Sequence, residues 1–394
     1  MEVFFSDMNI QDTLFELLTL LDNILYPFYA IAVGYLLIFA IGANIKKRQT
    51  YLLAKKNYRY AVLFYVDNKQ IQIIKSVKSF LEQDYPDYRV MVVSNAYQPT
   101  VKEQLAEMPV DVFISDVKCY NKAKAIQYAL SYIDSALYDV IVIMDSDSEV
   151  DAGFLSAINN AYYQGGMAIQ THRITKNLDS DIAIFGAVSE EINNSIFRHG
   201  HVNFGFSSAL IGSGMAFKLN WLKENIEGVT NNDFEKQLEF QLLEQFVFVE
   251  YLNDVHVYCE KKSRADEYYK ERSTWQTSSK QSFLFLFRKF FIALSHGNYD
   301  LCDKIFQWLI PSRMIIVGTL LLIAVGLLFV IWGMALKWWL LLLLLITAFS
   351  IALPDYLIDA RFIKALRGAP ILFLLTVFNS LKRKLLLHEK MIEQ

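Results

Sequence analysis

The sequence contains very few cysteines. Only three occur in 394 residues, Cys119, Cys259 and Cys302, and they lie far apart. This spacing excludes a disulfide-stapled scaffold and a zinc ribbon, and it is typical of reduced thiols in a cytosolic compartment. The six histidines show no metal-ligand spacing either, and we assign them no role.

The chain also lacks an excess of charge of either sign. Lys and Arg together number 38 and Asp and Glu 41, which leaves a formal net charge of −3. Because nucleic-acid binding requires clustered positive charge, we expect no nucleic-acid partner. Apolar residues are abundant instead and make up 54% of the chain. This fraction is high for a soluble protein and indicates membrane-embedded segments.

The first 45 residues contain no lysine or arginine. Residues 1–22 carry only acidic charges, and residues 23–45 carry no charge at all. An uncharged run of this length spans a hydrocarbon core of about 30 Å at about 1.5 Å per residue. Basic residues follow at once between Lys46 and Arg59. The positive-inside rule then predicts an N-terminus outside and a cytosolic chain after it.

The C-terminal part contains further uncharged runs. Residues 314–336 and 338–354 are predicted as a second and a third span. Before them, residues 281–311 mix phenylalanine and leucine with basic residues, which predicts amphipathic helices in the membrane interface. Residues 368–381 are uncharged but short, and we interpret them as an interfacial or re-entrant helix. We therefore expect three spans in a plasma or inner membrane.

Residues 60–145 alternate between short apolar runs and segments with helical spacing. The predicted elements are strand Tyr60–Val66, helix Gln70–Leu81, strand Tyr88–Val93, strand Val112–Ile114, helix Lys122–Ile133 and strand Val140–Met144. Such alternation is typical of βαβ units and a mostly parallel sheet, so the predicted fold class is α/β. The predicted divisions are the N-terminal span at 1–45, a cytosolic domain at 46–280, interfacial helices at 281–311, and a transmembrane pair with an interfacial helix at 312–394.

The strand Val140–Met144 ends abruptly in Asp145-Ser146-Asp147. In open α/β sheets, ligands bind beyond the carboxyl ends of the strands. Two carboxylates one residue apart suit Mg²⁺ or Mn²⁺ carrying a diphosphate, because these hard cations share oxygen ligands with phosphate. The same residues also make a good solvated turn. The motif alone leaves both interpretations open.

The order of these parts resembles the membrane-embedded family-2 glycosyltransferases, which include cellulose, hyaluronan, chitin and poly-N-acetylglucosamine synthases and ceramide glucosyltransferases. The motifs that match in order are Ser79–Val93, Asn121-Lys122-Ala123, Asp145-Ser146-Asp147, Gln170-Thr171, Gly212–Phe217, Asn232-Asp233 and Glu271–Trp275. The resemblance covers about residues 20–380. It implies a GT-A type nucleotide-sugar-binding domain with transmembrane and interfacial helices, and an inverting transfer of a sugar.

The resemblance also implies site residues. Asp147 and Asp145 are the expected ligands of Mg²⁺ or Mn²⁺. Asn95, Lys122 and Asp145 are the expected binding residues of the donor, a UDP-sugar. Asp233 is the candidate general base, and its alternative is a cap on the helix that follows it. The expected acceptor-side residues are Gln170, Gly212, Ser213, Gly214, Arg272 and Trp275.

Three functional hypotheses remain open. A polysaccharide synthase adds sugars repeatedly and passes the polymer through its spans, with a homo-oligomer or a channel partner supplying further helices. A single-addition enzyme uses a lipid or lipid-linked acceptor. In the third hypothesis the protein is an inactive family member that acts as a scaffold. This hypothesis stays open because Asn95, Asn232 and Thr274 depart from the family's pattern. The size of the product distinguishes the first two hypotheses.

Overall fold

The computed structural model describes residues 10–45, 51–66, 70–115, 121–230, 233–261 and 283–366. The strands are β1 (Tyr60–Tyr65), β2 (Tyr88–Ser94), β3 (Val110–Ile114), β4 (Val140–Asp145), β5 (Ser148–Val150), β6 (Ala168–Thr175), β7 (Met215–Lys218) and β8 (Val249–Cys259). The helices are α1 (Ile10–Ala43), α2 (Gln70–Leu81), α3 (Pro99–Ala106), α4 (Lys122–Tyr132), α5 (Phe154–Tyr163), α6 (Asp181–Asn194), α7 (His201–Phe204), α8 (Leu219–Asn225), α9 (Phe234–Glu244), α10 (Phe283–Ser295), α11 (Tyr299–Leu309), α12 (Arg313–Leu328) and α13 (Trp332–Ala352). A π-helix (Ser195–Gly200) joins α6 to α7, and a short 3-10 helix (Asp355–Leu357) follows α13. The segment 368–381 that the sequence predicts as interfacial lies outside the described residues.

One sheet contains these strands in the order β3-β2-β1-β4-β7-β6-β8-β5. Strands β3, β2, β1 and β4 are parallel, and β8 is parallel to β6. Strand β7 runs antiparallel to β4 and β6, and β5 antiparallel to β8. The predicted α/β class is confirmed, but the sheet is mixed. The antiparallel members β5 and β7 were not predicted, because three or four residues are too few to show a strand pattern.

The sheet is buried on both faces. Val142 and Met144 of β4 pack in one apolar cluster, whereas Ile141 and Ile143 pack in another on the opposite face. A strand that is covered on both faces reads as a continuous apolar run rather than as an alternating one. This is why the run Val140–Met144 was recognisable in the sequence.

The carboxyl ends of β1, β2 and β4 lie at one edge of the sheet. Tyr65 is opposite Asp145 in the pairing of β1 with β4, and opposite Val93 in the pairing of β1 with β2. Because β7 runs antiparallel to β4, the loop that precedes Met215 returns to this same edge. Segments that are distant in sequence therefore meet beyond the end of β4.

The pairing of β6 with β8 contains a register shift. Thr171 pairs with Leu252 of β8, but His172 pairs with His256, so that residues 253–255 leave the ladder. Extra residues of this kind occur next to active sites and turn neighbouring side chains.

Three apolar helices, α1, α12 and α13, pack around a common core that includes Leu36, Leu320 and Trp338. The stretch Phe15–Ala43 of α1 and the 21 residues of α13, Trp332–Ala352, are each long and apolar enough to cross a membrane. Helix α12 passes that test only together with α11, at a bend of 57° between the two. The described residues therefore contain two candidate spans, or three if the bent pair is one span.

Two polar contacts align α1 with α13. Lys337 Nζ forms an ion pair with Asp22, and Asn44 Nδ2 donates to the carbonyl oxygen of Ile351 at 3.0 Å. The early residues of both helices meet, and so do the late ones, which means that the two helices run in the same direction. The predicted first span, residues 23–45, forms the later part of α1.

Helix α12 runs in the opposite direction, because Arg313 at its start lies over an aromatic ring near the end of α13. The sequence predicted the boundary between these two spans at Lys337, and that boundary is wrong. Helix α12 ends at Leu328 and α13 begins at Trp332, so the lysine lies within α13. Its charge is accommodated there because Asp22 pairs with it.

Helices α10 and α11 form the predicted amphipathic segment 281–311. Phe283, Phe287 and Phe291 of α10 are exposed, while Leu286 packs in a cluster with residues of α9 and α11. An exposed aromatic face opposite a packed face agrees with the predicted amphipathic character of this segment.

Candidate active site

Strand β4 delivers the Asp-x-Asp motif to the edge of the sheet. Asp145 is its last residue, and Asp147 lies buried in the tight turn before β5. The backbone N–H of Asp145 donates to Ser213 Oγ at 3.1 Å, and this hydroxyl donates to Ser148 Oγ at 2.7 Å. Ser213 therefore ties the turn that carries both carboxylates to the loop before β7.

Lys122, the first residue of α4, joins three parts of the site. Its ammonium donates to Asp145 Oδ1 at 3.1 Å, to the carbonyl oxygen of Gly212 at 3.0 Å and to Glu235 Oε1 at 3.2 Å. Burial lowers the pKa of Lys122, but the two carboxylates raise the pKa by more, so the ammonium stays charged. Each of its three N–H groups has an oxygen partner.

The Gly212-Ser213-Gly214 loop packs directly against the carboxylates. A Cβ at Gly212 would lie 2.7 Å from Asp145 Oδ2, and one at Gly214 would lie 2.1 Å from Thr171 Oγ1. Gly214 also has a φ of 76°, which side chains disfavour. A side chain at position 212 would displace the Asp145 carboxylate, whereas at position 214 both close approach and backbone conformation favour glycine.

Gln170 supports this loop from β6. It is fully buried, and its Oε1 accepts from the backbone N–H of Ile211 at 2.8 Å. Its Nε2 donates to the carbonyl oxygens of Thr171 at 2.9 Å and Ser213 at 3.2 Å. The amide is engaged with backbone groups, so Gln170 acts on the site through the position of the loop.

Asp233 precedes α9 beside the site. Its backbone is left-handed, with φ 55° and ψ 41°, and its side chain makes no capping hydrogen bond. Burial and the charge of Glu235 raise the pKa of Asp233, whereas Lys236, at 4.0 Å, lowers it. The net effect is a pKa above the ordinary value for aspartate. The capping role that the sequence left open is not realised, and the higher pKa makes the carboxylate a stronger base.

Glu235 was not singled out in the sequence, yet it connects α9 to the site through Lys122. Nothing in the run DFEKQLEF distinguishes it from other helical acids. Only the tertiary arrangement shows that it faces the carboxyl end of β4.

Asn95 follows β2 at the same edge of the sheet and is exposed. Strand β1 separates β2 from β4, so about two strand spacings, roughly 10 Å, lie between Asn95 and Asp145. Asn95 is therefore on the same edge but not in contact distance of the carboxylates.

Two further charged residues of this region were missed in the sequence, Arg173 of β6 and Glu190 of α6. Burial raises the pKa of Glu190, but Lys261, Arg173 and Arg198 lower the pKa to about 2. Lys261 Nζ lies 3.0 Å from the Glu190 carboxylate. Arg173 interacts electrostatically with Glu190 and with both Asp-x-Asp carboxylates. The only sequence signal was a basic pair, His172 and Arg173, within the strand AIQTHRIT.

The expected acceptor-side residues Arg272 and Trp275 lie outside the described residues, as does Asn232.

The carboxylates fit a hard divalent cation. Within the described ranges, no group of three or more His, Cys, Asp or Glu residues is placed to hold a metal ion by itself. Mg²⁺ and Mn²⁺ sites in phosphate-processing proteins need only one or two carboxylates, because substrate phosphates supply the other ligands. Asp145 and Asp147 provide that donor set, with oxygen atoms only.

A family model described as Glycosyl transferase family group 2 matches residues 140–353, more than half of the chain. The chain therefore belongs to this family and is a glycosyltransferase. The matched region begins at β4 and contains the Asp-x-Asp turn, the Gly-Ser-Gly loop and α9. No match was found among curated proteins.

Three solved structures are similar to this chain. A mannosyltransferase from Pyrobaculum calidifontis is 16% identical, with a TM-score of 0.51 over 81% of this chain and 94% of that one. TarS residues 1–349 from S. aureus are 12% identical over 76% and 82% of the two chains, with a TM-score of 0.39. Glucosyl-3-phosphoglycerate synthase from Mycobacterium tuberculosis is 13% identical over 56% and 80%, with a TM-score of 0.38. The first likeness confirms the expected GT-A type fold.

Proposed function

We propose that this protein transfers a sugar from a nucleotide-diphosphate donor to a glycan acceptor at the cytosolic face of a membrane. The observation that carries the proposal is a convergence of charged groups beyond β4. The Lys122 ammonium donates hydrogen bonds both to the Asp145 carboxylate and to the carbonyl oxygen of Gly212. It also bonds to Glu235, which lies on the helix that begins beside Asp233. The groups suited to bind a diphosphate are thus linked to the helix that directly follows the candidate base.

Asp145 and Asp147 hold Mg²⁺ or Mn²⁺ in this proposal. The cation, when bound, supplies positive charge to the leaving diphosphate. The Pyrobaculum mannosyltransferase is described in complex with GDP-mannose and Mn²⁺, which agrees with such a donor. Asn95 lies farther along the same edge and is proposed to contact the base, with its amide oxygen as acceptor. A UDP-sugar is the proposed donor.

Asp233 is the proposed general base. Its carboxylate takes the proton of the acceptor hydroxyl while that oxygen attacks the anomeric carbon and the bond to the diphosphate oxygen breaks. A single displacement of this kind inverts the anomeric configuration. The raised pKa of Asp233 suits proton abstraction, and its left-handed backbone is a strained conformation of the kind found at active sites.

The acceptor approaches from the membrane side in this proposal. The exposed aromatic face of α10 binds the bilayer surface, and α1, α12 and α13 cross it with the N-terminus outside. On the acceptor side, Gln170 positions the Gly-Ser-Gly loop, and Arg272 and Trp275 complete the site. A growing polysaccharide is the proposed acceptor.

A second candidate function is single addition to a lipid or lipid-linked acceptor. It is favoured by the packing of the spans, because Leu36, Leu320 and Trp338 are fully or almost fully buried between α1, α12 and α13. In the described residues these three helices enclose an apolar core rather than a passage for a polymer. A synthase would therefore need a homo-oligomer or a channel partner.

Purified protein in lipid nanodiscs tests both candidates. It is supplied with radiolabelled UDP-sugars and GDP-sugars, with Mn²⁺, with Mg²⁺ or with EDTA. We expect metal-dependent transfer from one donor, into a product that stays at the origin of a chromatogram if it is a polymer. A product that partitions into organic solvent indicates the lipid acceptor instead. If no donor is hydrolysed or transferred under any condition, the proposal is wrong.

A further inference from the structure

Arg173 brings a guanidinium group to the carboxylate site from β6. A Cβ built on Gly212 would lie 3.6 Å from Arg173 Nη1, 3.4 Å from Lys122 Nζ and 2.7 Å from Asp145 Oδ2. Two cations and a carboxylate, which come from three different elements, therefore surround the same short piece of backbone. Arg173 lies one residue after the register shift in the pairing of β6 with β8.

Arg173 stays charged in this setting. Burial disfavours its charge, but Cys259, Glu190 and the two Asp-x-Asp carboxylates hold the pKa of Arg173 well above its usual range. Arg173 is half-buried. Those of its N–H groups that are buried need hydrogen-bond acceptors, since an unpaired buried donor on a charged group is costly.

One of those donors is unmatched. Arg173 Nε is buried and has no hydrogen-bond partner in the part of the chain that the structure describes. Buried polar groups nearly always have a hydrogen-bond partner, so a buried donor without one needs an explanation. Lys122 differs in this respect, because each of its three N–H groups already has an oxygen acceptor.

We propose that Arg173 binds the diphosphate of the nucleotide-sugar donor through its planar fork of N–H groups. The inference rests on the proposed function. A divalent cation bound by Asp145 and Asp147 would neutralise the carboxylates that Arg173 faces. The guanidinium would then be available to donate hydrogen bonds to the phosphate oxygens. Arginine suits this position because its fork matches phosphate geometry bidentately, whereas an ammonium acts as a point charge.

The test measures binding rather than turnover. Full-length protein in nanodiscs is titrated with UDP and GDP at saturating Mn²⁺, and with uridine and guanosine as matched ligands without phosphate. Arg173→Gln is expected to weaken diphosphate binding about 10- to 100-fold, the loss typical of a charge-assisted hydrogen bond. Nucleoside binding should not change. Mn²⁺ affinity, measured by electron paramagnetic resonance without nucleotide, should be equal or higher, because a nearby positive charge is gone.

Two controls make the result specific. Arg89→Gln breaks a half-exposed ion pair with Asp111 near the opposite ends of β2 and β3, and should leave all affinities unchanged. Arg173→Lys keeps the buried charge and replaces Arg173→Gln if the latter does not fold. It should still bind the diphosphate less tightly than the wild type, because the fork is lost.

Wild-type affinity of Arg173→Gln for UDP and GDP would overturn the inference and leave the proposed function intact. A parallel loss of nucleoside, Mn²⁺ and diphosphate binding would overturn it too, because it would show a purely structural arginine. If the wild-type protein binds neither diphosphate nor any nucleotide sugar, the proposed function falls together with the inference.

Discussion

Tyr35 of α1 donates a hydrogen bond of 2.9 Å to Asp303 of α11, although 268 residues separate them in sequence. The same hydroxyl lies 2.8 Å from His201 Nε2. The residue after Asp303 is the fully buried Lys304, which lies 4.0 Å from Glu239 of α9. Polar contacts of the neighbouring residues Asp303 and Lys304 therefore connect α11 with α1 on one side and with α9, the helix after the candidate base, on the other.

Tyr35→Phe tests this connection. The substitution keeps the ring and removes the hydroxyl, which leaves the buried Asp303 without that donor. We expect the free energy of unfolding to fall by about 1–3 kcal/mol, the cost of an unpaired buried group. Thermal unfolding in detergent measures it, with Tyr132→Phe at an exposed position as the control. Equal unfolding temperatures for Tyr35→Phe and the wild type would show that the contact does not stabilise the protein.

Gly212→Ala tests the close approach of the loop to the Asp-x-Asp motif. The new methyl group would lie 2.7 Å from Asp145 Oδ2, and this carboxylate is the movable end of a side chain. The protein should therefore fold, with the Asp145 carboxylate displaced. We expect a large loss of sugar transfer with little change in unfolding temperature.

Gly228→Ala is the matched control, because a Cβ at Gly228 meets nothing within 4 Å. It should retain wild-type activity. Wild-type activity of Gly212→Ala would mean that the position of the Asp145 carboxylate does not matter for the reaction.

Much of the catalytic domain was predictable from the sequence. The four strands between Tyr60 and Asp145 were predicted because strands buried on both faces form continuous apolar runs, and α2 and α4 because of their helical spacing. Helix α3, Pro99–Ala106, was not predicted. The Asp-x-Asp motif was recognisable because two acids directly after such a strand are unusual.

The partners of those residues were not predictable. Glu235 lies on α9 and Arg173 on β6, and no local sequence pattern shows that either side chain lies near Asp145. The sequence predicted a boundary between two spans at Lys337, because a lysine without a nearby acid is unfavourable inside a span. Its ion-pair partner, Asp22, is 315 residues away. The contacts that were not predicted join residues that are far apart in sequence and that no recognisable motif marks.

Asp147→Asn tests the proposed metal site. The substitution removes one charged oxygen ligand and keeps the shape of the side chain. At limiting Mn²⁺ we expect transfer to fall by about 10²-fold or more, since a bound cation contributes several kcal/mol to the transition state. Higher Mn²⁺ should restore part of the rate. Asp151→Asn, an exposed acid of the same segment, is the control. Unchanged Mn²⁺ dependence in Asp147→Asn would place the metal elsewhere.

The orientation of the spans is tested by cysteine labelling in intact cells. The turn between α12 and α13 should lie outside, because α13 runs parallel to α1. A membrane-impermeant maleimide should label Val330→Cys, which is exposed in that turn, and should not label Leu137→Cys in the catalytic domain. The native Cys259 and Cys302 are buried and give little background. The reverse labelling pattern would contradict the orientation.

The pH dependence of transfer tests the environment of Asp233. Its pKa is raised by burial and lowered by Lys236, which lies at 4.0 Å. A base with a raised pKa is protonated at higher pH, so the acid limb of the rate should lie above the ordinary aspartate value. Lys236→Gln removes the lowering charge and should move this limb upward by about 0.3–1 pH unit. Lys218→Gln, an exposed lysine elsewhere, should not move it.

Asp233→Asn separates chemistry from structure at the same position. Asparagine is among the few residues that tolerate a left-handed backbone, so the φ of 55° can be kept. No capping hydrogen bond is lost, because the Asp233 side chain makes none. We therefore expect wild-type stability and wild-type binding of the nucleotide sugar.

Transfer by Asp233→Asn should nevertheless fall by about 10²- to 10⁴-fold, because an amide cannot accept the acceptor's proton near neutral pH. Single-turnover rates with preformed donor complex measure this loss directly. Asp233→Ala is an informative companion, since alanine does not favour the left-handed backbone and should cost stability as well as rate. If folded Asp233→Asn transfers sugar at a rate near that of the wild type, the base lies elsewhere. Glu235, whose carboxylate already faces the site through Lys122, would then be the first residue to examine.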